Sequence, residues 1–110
     1  MEKIPEIARD CIREAAHDYV GLWVIAGAIR FECKVTENER VKRLSLDVVR
    51  RVIDGGLGPG DYLKTGFRFW PELDKDAIIS RIEREWDAAR GDPTLADPIC
   101  WFASRDAQRS

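Results

Sequence analysis

The residues able to do chemistry are few, and their spacing does not suit it. His17 is the single histidine. No second histidine and no cysteine stands at ligand spacing from it, so a zinc-type donor set is missing. Cys11, Cys33 and Cys100 are odd in number, far apart and free of any C-x-x-C pair, which reads as reduced, mostly buried thiols of a cytoplasmic protein. A disulfide between two of them is the alternative. A cysteine nucleophile needs a base, and His17 is the only one on offer to Cys100. Paired carboxylates (Asp74/Asp76, Glu83/Glu85, Glu37/Glu39) fall on helix starts or outward faces, whereas acid–base work requires one carboxyl held in an apolar pocket. Asp61 and Asp97 lie beside glycine- or proline-rich turns and near aromatics, where turn capping by the side chain is the simpler role. The run Gly55-Gly56-Leu57-Gly58-Pro59-Gly60 invites a phosphate-loop reading, yet it follows a helix and lacks the Gly-Lys-Ser/Thr ending. These residues define no catalytic, cofactor-binding or metal site.

Function must then reside in a surface. Trp70 precedes a proline in a loop and Trp101 lies in the C-terminal segment; each either joins a recognition surface or packs in the core with Trp86 and Phe69. Asp61, Arg68, Trp70 and Asp97 are the residues expected to meet a partner.

Composition sets the frame for that surface. The chain has 110 residues, 45% hydrophobic and 35% charged, with a formal net charge of −2. That is the size and balance of one domain with its own core, neither disordered nor membrane-embedded. Acidic and basic residues alternate along the whole length, so the basic footprint of a nucleic-acid binder and the polybasic segment of a membrane-surface protein are both absent. The longest apolar run, 19–31, is too short to span a bilayer, and the first ten residues lack a signal-peptide layout.

The elements that position these residues follow from periodicity. Thr36 to Asp61 organises the rest, as a long amphipathic helix ended by glycines. Thr36 and Glu39 form a capping box, Val41, Leu44, Val48, Val49, Val52 and Ile53 recur at helical spacing, and Gly55-Gly56 supplies the C-cap. A first helix is expected over 4–17 and a fourth over 75–90, the latter capped by Asp74, lined inside by Ile78, Ile79, Ile82, Trp86 and Ala89, and stopped by Gly91-Asp92-Pro93. Between the first helix and Thr36, a helix over 19–34 starts at an Asp18 N-cap and is apolar nearly all round, which places it in the middle of the fold. A buried β-strand is the competing reading there, because β-branched residues and two glycines disfavour a helix; sixteen residues is long for a strand. Residues 57–70 read as a hairpin or ordered loop, and 98–102 as a short extended segment.

Taken together, Gly21-Leu22-Trp23 with Ile25, Gly56-Leu57-Gly58-Pro59-Gly60-Asp61, Gly66-Phe67 with Phe69-Trp70, Arg81-Ile82 with Glu85-Trp86, and Ile99-Cys100-Trp101-Phe102 form a pattern that resembles a family of short, uncharacterised bacterial proteins. Stand-alone families of that kind are similar to the immunity proteins that bacteria make against partner toxins, and the resemblance implies no functional residues of its own.

The expected protein is a single domain over 1–110, its core from about 4 to 103 and its polar tail frayed. The expected fold is mainly α: a compact four-helix domain with a small β-hairpin or short extended pair, partly winged-helix-like. Its expected function is that of a non-enzymatic cytoplasmic protein-binding module, immunity-like, without cofactor, metal or membrane, whose partner is another protein or a second copy of the chain. The competing reading is a winged-helix-like regulator that binds DNA through Arg40, Arg43, Arg50 and Arg51, although Asp47 and Asp54 interrupt that row.

Overall fold

The computed structural model describes residues 3–106. In chain order its elements are α1 (Lys3–Glu14), β1 (Val20–Gly21), α2 (Leu22–Glu32), α3 (Asn38–Asp54), β2 (Leu57–Leu63), β3 (Gly66–Phe69), α4 (Lys75–Ala89) and β4 (Trp101–Ser104). Helix α3 is the hub, touching α1, α2, α4 and β2. Its Val41, Val48, Val49 and Val52 are all fully enclosed, which follows from their helical spacing on one face.

The capping box predicted for α3 does not form. The helix starts one residue later than the box requires, with Glu37 as an N-cap that makes no side-chain cap; the Thr36 carbonyl accepts from the Arg30 guanidinium and Glu39 turns to Lys42 and Arg43. At the other end Gly56, with φ +101°, makes the left-handed turn that a side chain would resist. The Asp74 cap does form, its carboxylate accepting from the Ala77 N–H at 3.1 Å. Ala89, expected inside α4, is exposed in its last turn.

The β structure is more than a hairpin. Four antiparallel strands run in the order β1-β4-β2-β3. Val20 pairs with Phe102, Pro59 with Phe102 on the other side, and Tyr62 with Phe67. The extended segment near the C-terminus is therefore an inner strand. Ser104, expected in a frayed tail, ends it, and residues 107–110 lie outside the described chain. Val20 and Gly21 leave the predicted 19–34 helix to form β1, so α2 starts three residues late with Gly21, not Asp18, as its N-cap; the Asp18 carboxylate instead accepts from the Tyr19 N–H.

In the glycine-proline run, Gly55-Gly56 make the expected C-cap and turn, while Leu57-Gly58-Pro59-Gly60 is the buried first half of β2. Proline is tolerated there because N–H and C=O of one residue point to the same side of an antiparallel strand. The Pro59 carbonyl accepts from Trp70 N–H just beyond the last paired residues of the β2–β3 ladder, Gly60 and Phe69, so the missing donor costs only a terminal rung. Glycine serves close approach here: a Cβ on Gly58 would strike the Arg105 guanidinium, and one on Gly60 the Phe67 ring and the Arg68 backbone. Tyr19, Tyr62, Phe67, Phe69 and Trp101 form a chain of ring contacts, with Tyr19 stacked on Phe67 at 4.7 Å and Arg105 over Phe69 at 4.7 Å.

Candidate functional site

Three of the four residues expected to meet a partner come together, with Arg68 exposed, Asp61 half-buried and Trp70 buried. Asp61 and Arg68 are cross-strand partners on the β2–β3 hairpin. The Asp61 carboxylate accepts from Trp70 Nε1 at 3.2 Å, so it orients the indole and caps no turn. Trp70 itself is 3% exposed and belongs to the core. Its ring carries the Arg81 guanidinium 3.6 Å from the centroid, and Arg81 is in turn held by Glu72 and Glu85 at 3.0 and 2.9 Å. Burial opposes the Arg81 charge, but hydrogen bonds to Glu85 and Glu72 outweigh it and raise its pKa. Asp97 stands apart on the exposed turn 94–97, which is capped by the Thr94 hydroxyl and not by the aspartate.

The flank between α3 and α4 is likewise closed upon itself. Lys42 is buried, yet its ammonium reaches Asp87 at 2.7 Å, Glu39 at 3.4 Å and Glu83 at 3.6 Å. The like-charged Glu83 and Asp87 on one face of α4 are thereby explained: they share one cation. Hydrogen bonding to Asp87 prevails over burial and raises the lysine's pKa. Arg30 joins α2 to the loop after α4 through Asp92 and to the start of α3 through Asn38 and the Thr36 carbonyl. Of the four arginines on α3's outer face, Arg43, Arg50 and Arg51 meet Glu39, Asp76 and Asp47.

The thiols are placed for stability. All three cysteines are free. Cys100 is enclosed in the core, and burial pushes its pKa well above the ordinary thiol value. Cys11 is pushed up to about 11 by burial first, then by the nearby charges of Asp10 and Glu32. Neither forms the thiolate that nucleophilic chemistry needs near neutral pH. Among the described residues no three His, Cys, Asp or Glu side chains come together to hold a metal ion.

Large apolar side chains stand exposed singly at Leu73 and Leu95 and at the tip of the hairpin at Tyr62 and Leu63, and together on a helix face that the sequence reading put inside the fold. Helix α2 buries Leu22, Ile25, Ala26 and Ile29. On its opposite side Gly27 and Ala28 are half-buried, Ala28 against the core, while Val24 is 42% and Phe31 84% exposed. A helix apolar on both sides has its second side uncovered. Alongside it, α1 and α2 both lean on α3 and leave a groove of about 380 Å³ between them, floored by Ile7, Cys11, Val20, Val24 and Ala28, with Tyr19 at one end. Ile7, Cys11 and Glu14 follow the i, i+4, i+7 spacing of one helix face, and Val24, Ala28 and Glu32 on the other bank follow i, i+4, i+8. The groove's charged lining is Asp10, Glu14 and Glu32, all acidic. Asp10 has a loose partner in Arg13 at 3.8 Å; Glu14 and Glu32 have no ion-pair partner among the described residues. The all-round apolar composition of α2 was the available signal, and it pointed equally to burial in the core and to burial by something else.

No family model matches the chain, and no curated protein or solved structure is significantly similar to it. Among the described residues no helix is long and apolar enough to cross a membrane.

Proposed function

We propose that this chain is a cytoplasmic protein-binding module that works without catalysis, and that its partner docks on the outer side of α2 and the groove beside α1. One observation supports the reading above the rest: Phe31 and Val24 stand exposed on a helix whose other side is already core. Covering a large apolar side chain contributes roughly 1.5–3 kcal/mol, and aromatic anchors of that kind dominate interface energetics. An immunity-like role, in which the module masks a toxin's working surface, needs such an adhesive face and nothing reactive. The closed state of the Cys11 and Cys100 thiols fits a protein that acts by contact.

The winged-helix-like, DNA-binding reading has in its favour helices followed by an aromatic hairpin. It is weakened by the acidic partners of Arg43, Arg50 and Arg51, since phosphate contacts require free cations.

The test is co-expression. Products of the reading frames adjacent to this gene are expressed in a bacterial host with and without the chain. The proposal expects one product to arrest growth, the chain to relieve it, and Phe31→Gln to lose that relief while remaining folded. Relief that persists in Phe31→Gln contradicts the docking face. Binding to duplex DNA, with a salt slope of several phosphate contacts, contradicts the function itself.

A further inference from the structure

We infer that the occupant of the α1–α2 groove is a cationic amphipathic helix of the partner, about three turns long, whose lysines or arginines meet Glu14, Glu32 and Asp10. The inference rests on the reading that this face binds a protein, and goes on to name the chemistry of the bound segment.

Charge carries the first step. The acidic lining has no basic counterpart within it, and Glu14 and Glu32 lack ion-pair partners among the described residues. Their positions add to this: Glu14 is the last residue of α1 and Glu32 the last of α2. A negative charge at a helix C-terminus opposes the macrodipole and weakens its own helix. Two carboxylates held at locally unfavourable positions, both facing one apolar groove, are explained by a cation that arrives from outside.

The same charges exclude other occupants. A second copy of the chain docking by this face across a two-fold axis would set one acidic rim against another, since such interfaces are self-complementary. An anionic membrane surface would be repelled likewise. An added β-strand needs a free sheet edge, whereas the banks of this groove are helix side chains. Helix-in-groove docking remains, with apolar anchors three and four residues apart set against Val24, Ala28 and Phe31. Helices α1 and α2, of twelve and eleven residues, extend about 16–18 Å and so match about three turns of a partner.

Three synthetic peptides of one length test this by NMR titration of the intact chain at low and at moderate salt: a leucine-lysine amphipathic helix, a leucine-glutamate helix with the same apolar positions, and a scrambled leucine-lysine sequence. The cationic helix is expected to bind, to shift the amides of Cys11, Val24 and Phe31, and to weaken with salt. Phe31→Gln is expected to weaken it about tenfold or more. The double variant Glu14→Gln, Glu32→Gln is expected to weaken it about fivefold to tenfold while raising Tm, opposite signs that a purely structural role cannot produce. Equal binding of the scrambled peptide, or no loss in the double variant, overturns the inference. Tighter binding of the acidic helix at the same amides overturns the cationic occupant but leaves the docking face standing. If no peptide shifts those amides, the inference fails and the docking face fails with it.

Discussion

The α3–α4 flank and the α1–α2 face are made of the same materials, aliphatic rows edged with charge, but only the first is complete. On the α3–α4 side Ile78, Ile82 and Trp86 are enclosed, and the charges find one another: Lys42 with three carboxylates, Arg81 with Glu72 and Glu85, Lys75 with Asp54. On the α1–α2 side Phe31 and Val24 face outward and two glutamates find no cation among the described residues. The difference shows that a surface can be read by what it leaves unsatisfied. A flank that already pairs its charges and buries its side chains has nothing to offer a partner.

Substitutions sharpen that contrast. Ile82→Ala, in the completed flank, is expected to lower stability by about 2–5 kcal/mol through lost burial and the cavity left behind. Urea denaturation measures it, and a loss below about 1 kcal/mol would mean that the flank is looser than it looks.

Cys11, at the floor of the open face, comes next. With its pKa near 11 against an ordinary 9.0, the thiolate fraction at pH 8 falls about 100-fold, and alkylation of Cys11 should be slower than that of an unperturbed thiol by the same factor. The neutral thiol is the form the fold favours. Stability is therefore full below the unfolded-state pKa and falls as pH rises from about 9 towards 11, by about 2–3 kcal/mol. A Cys11→Ala variant should lose that decline, and alkylation of wild-type Cys11 at the rate of a free peptide would contradict the burial assigned to it.

Lys42→Ala is expected to cost about 1–2 kcal/mol, discounted because Glu39, Glu83 and Asp87 are half exposed and screened by water. Because its folded-state pKa is raised, the lysine's contribution is fully present below its ordinary pKa and is lost as pH rises through the folded value. The stability gap between wild type and variant should accordingly narrow in strong alkali, and a gap that stays constant would point to packing of the stem alone.

Smallest of all is the effect of Phe31→Gln on the isolated chain. Its stability should change by no more than about 0.5 kcal/mol, as for other exposed positions. A loss comparable to that of Ile82→Ala would place Phe31 in the core and remove the contrast.

Much of the helical layout was legible because its signals are local. The rows Val41–Val48–Val52 and Ile78–Ile82–Trp86 repeat within one element, and Asp74 caps its helix by accepting from the N–H three residues on. Of the sheet, the β2–β3 hairpin and the extended C-terminal segment were legible, but not their assembly, because the pairs Val20–Phe102 and Pro59–Phe102 join residues far apart in the chain. Glycines at 58 and 60 announced a turn, and only the fold shows the Arg105 guanidinium against the first and the Phe67 ring against the second. Of the expected partner-binding residues, Asp61 and Trp70 proved to hold each other inside the fold: a tryptophan before a proline reads as exposed only while the strand carrying it is unknown. The groove escaped notice because hydropathy reports that α2 wants cover on both sides and is silent about what supplies it.

Photo-crosslinking from within native cells tests the docking face most directly. A benzoyl-phenylalanine is placed at position 31 and, as a control, at position 95, where Leu95 is also well exposed but lies away from the groove lining. Docking on α2 predicts one adduct of defined mass from position 31 and none of that mass from 95. Identical products from the two positions, or none from 31, would contradict it.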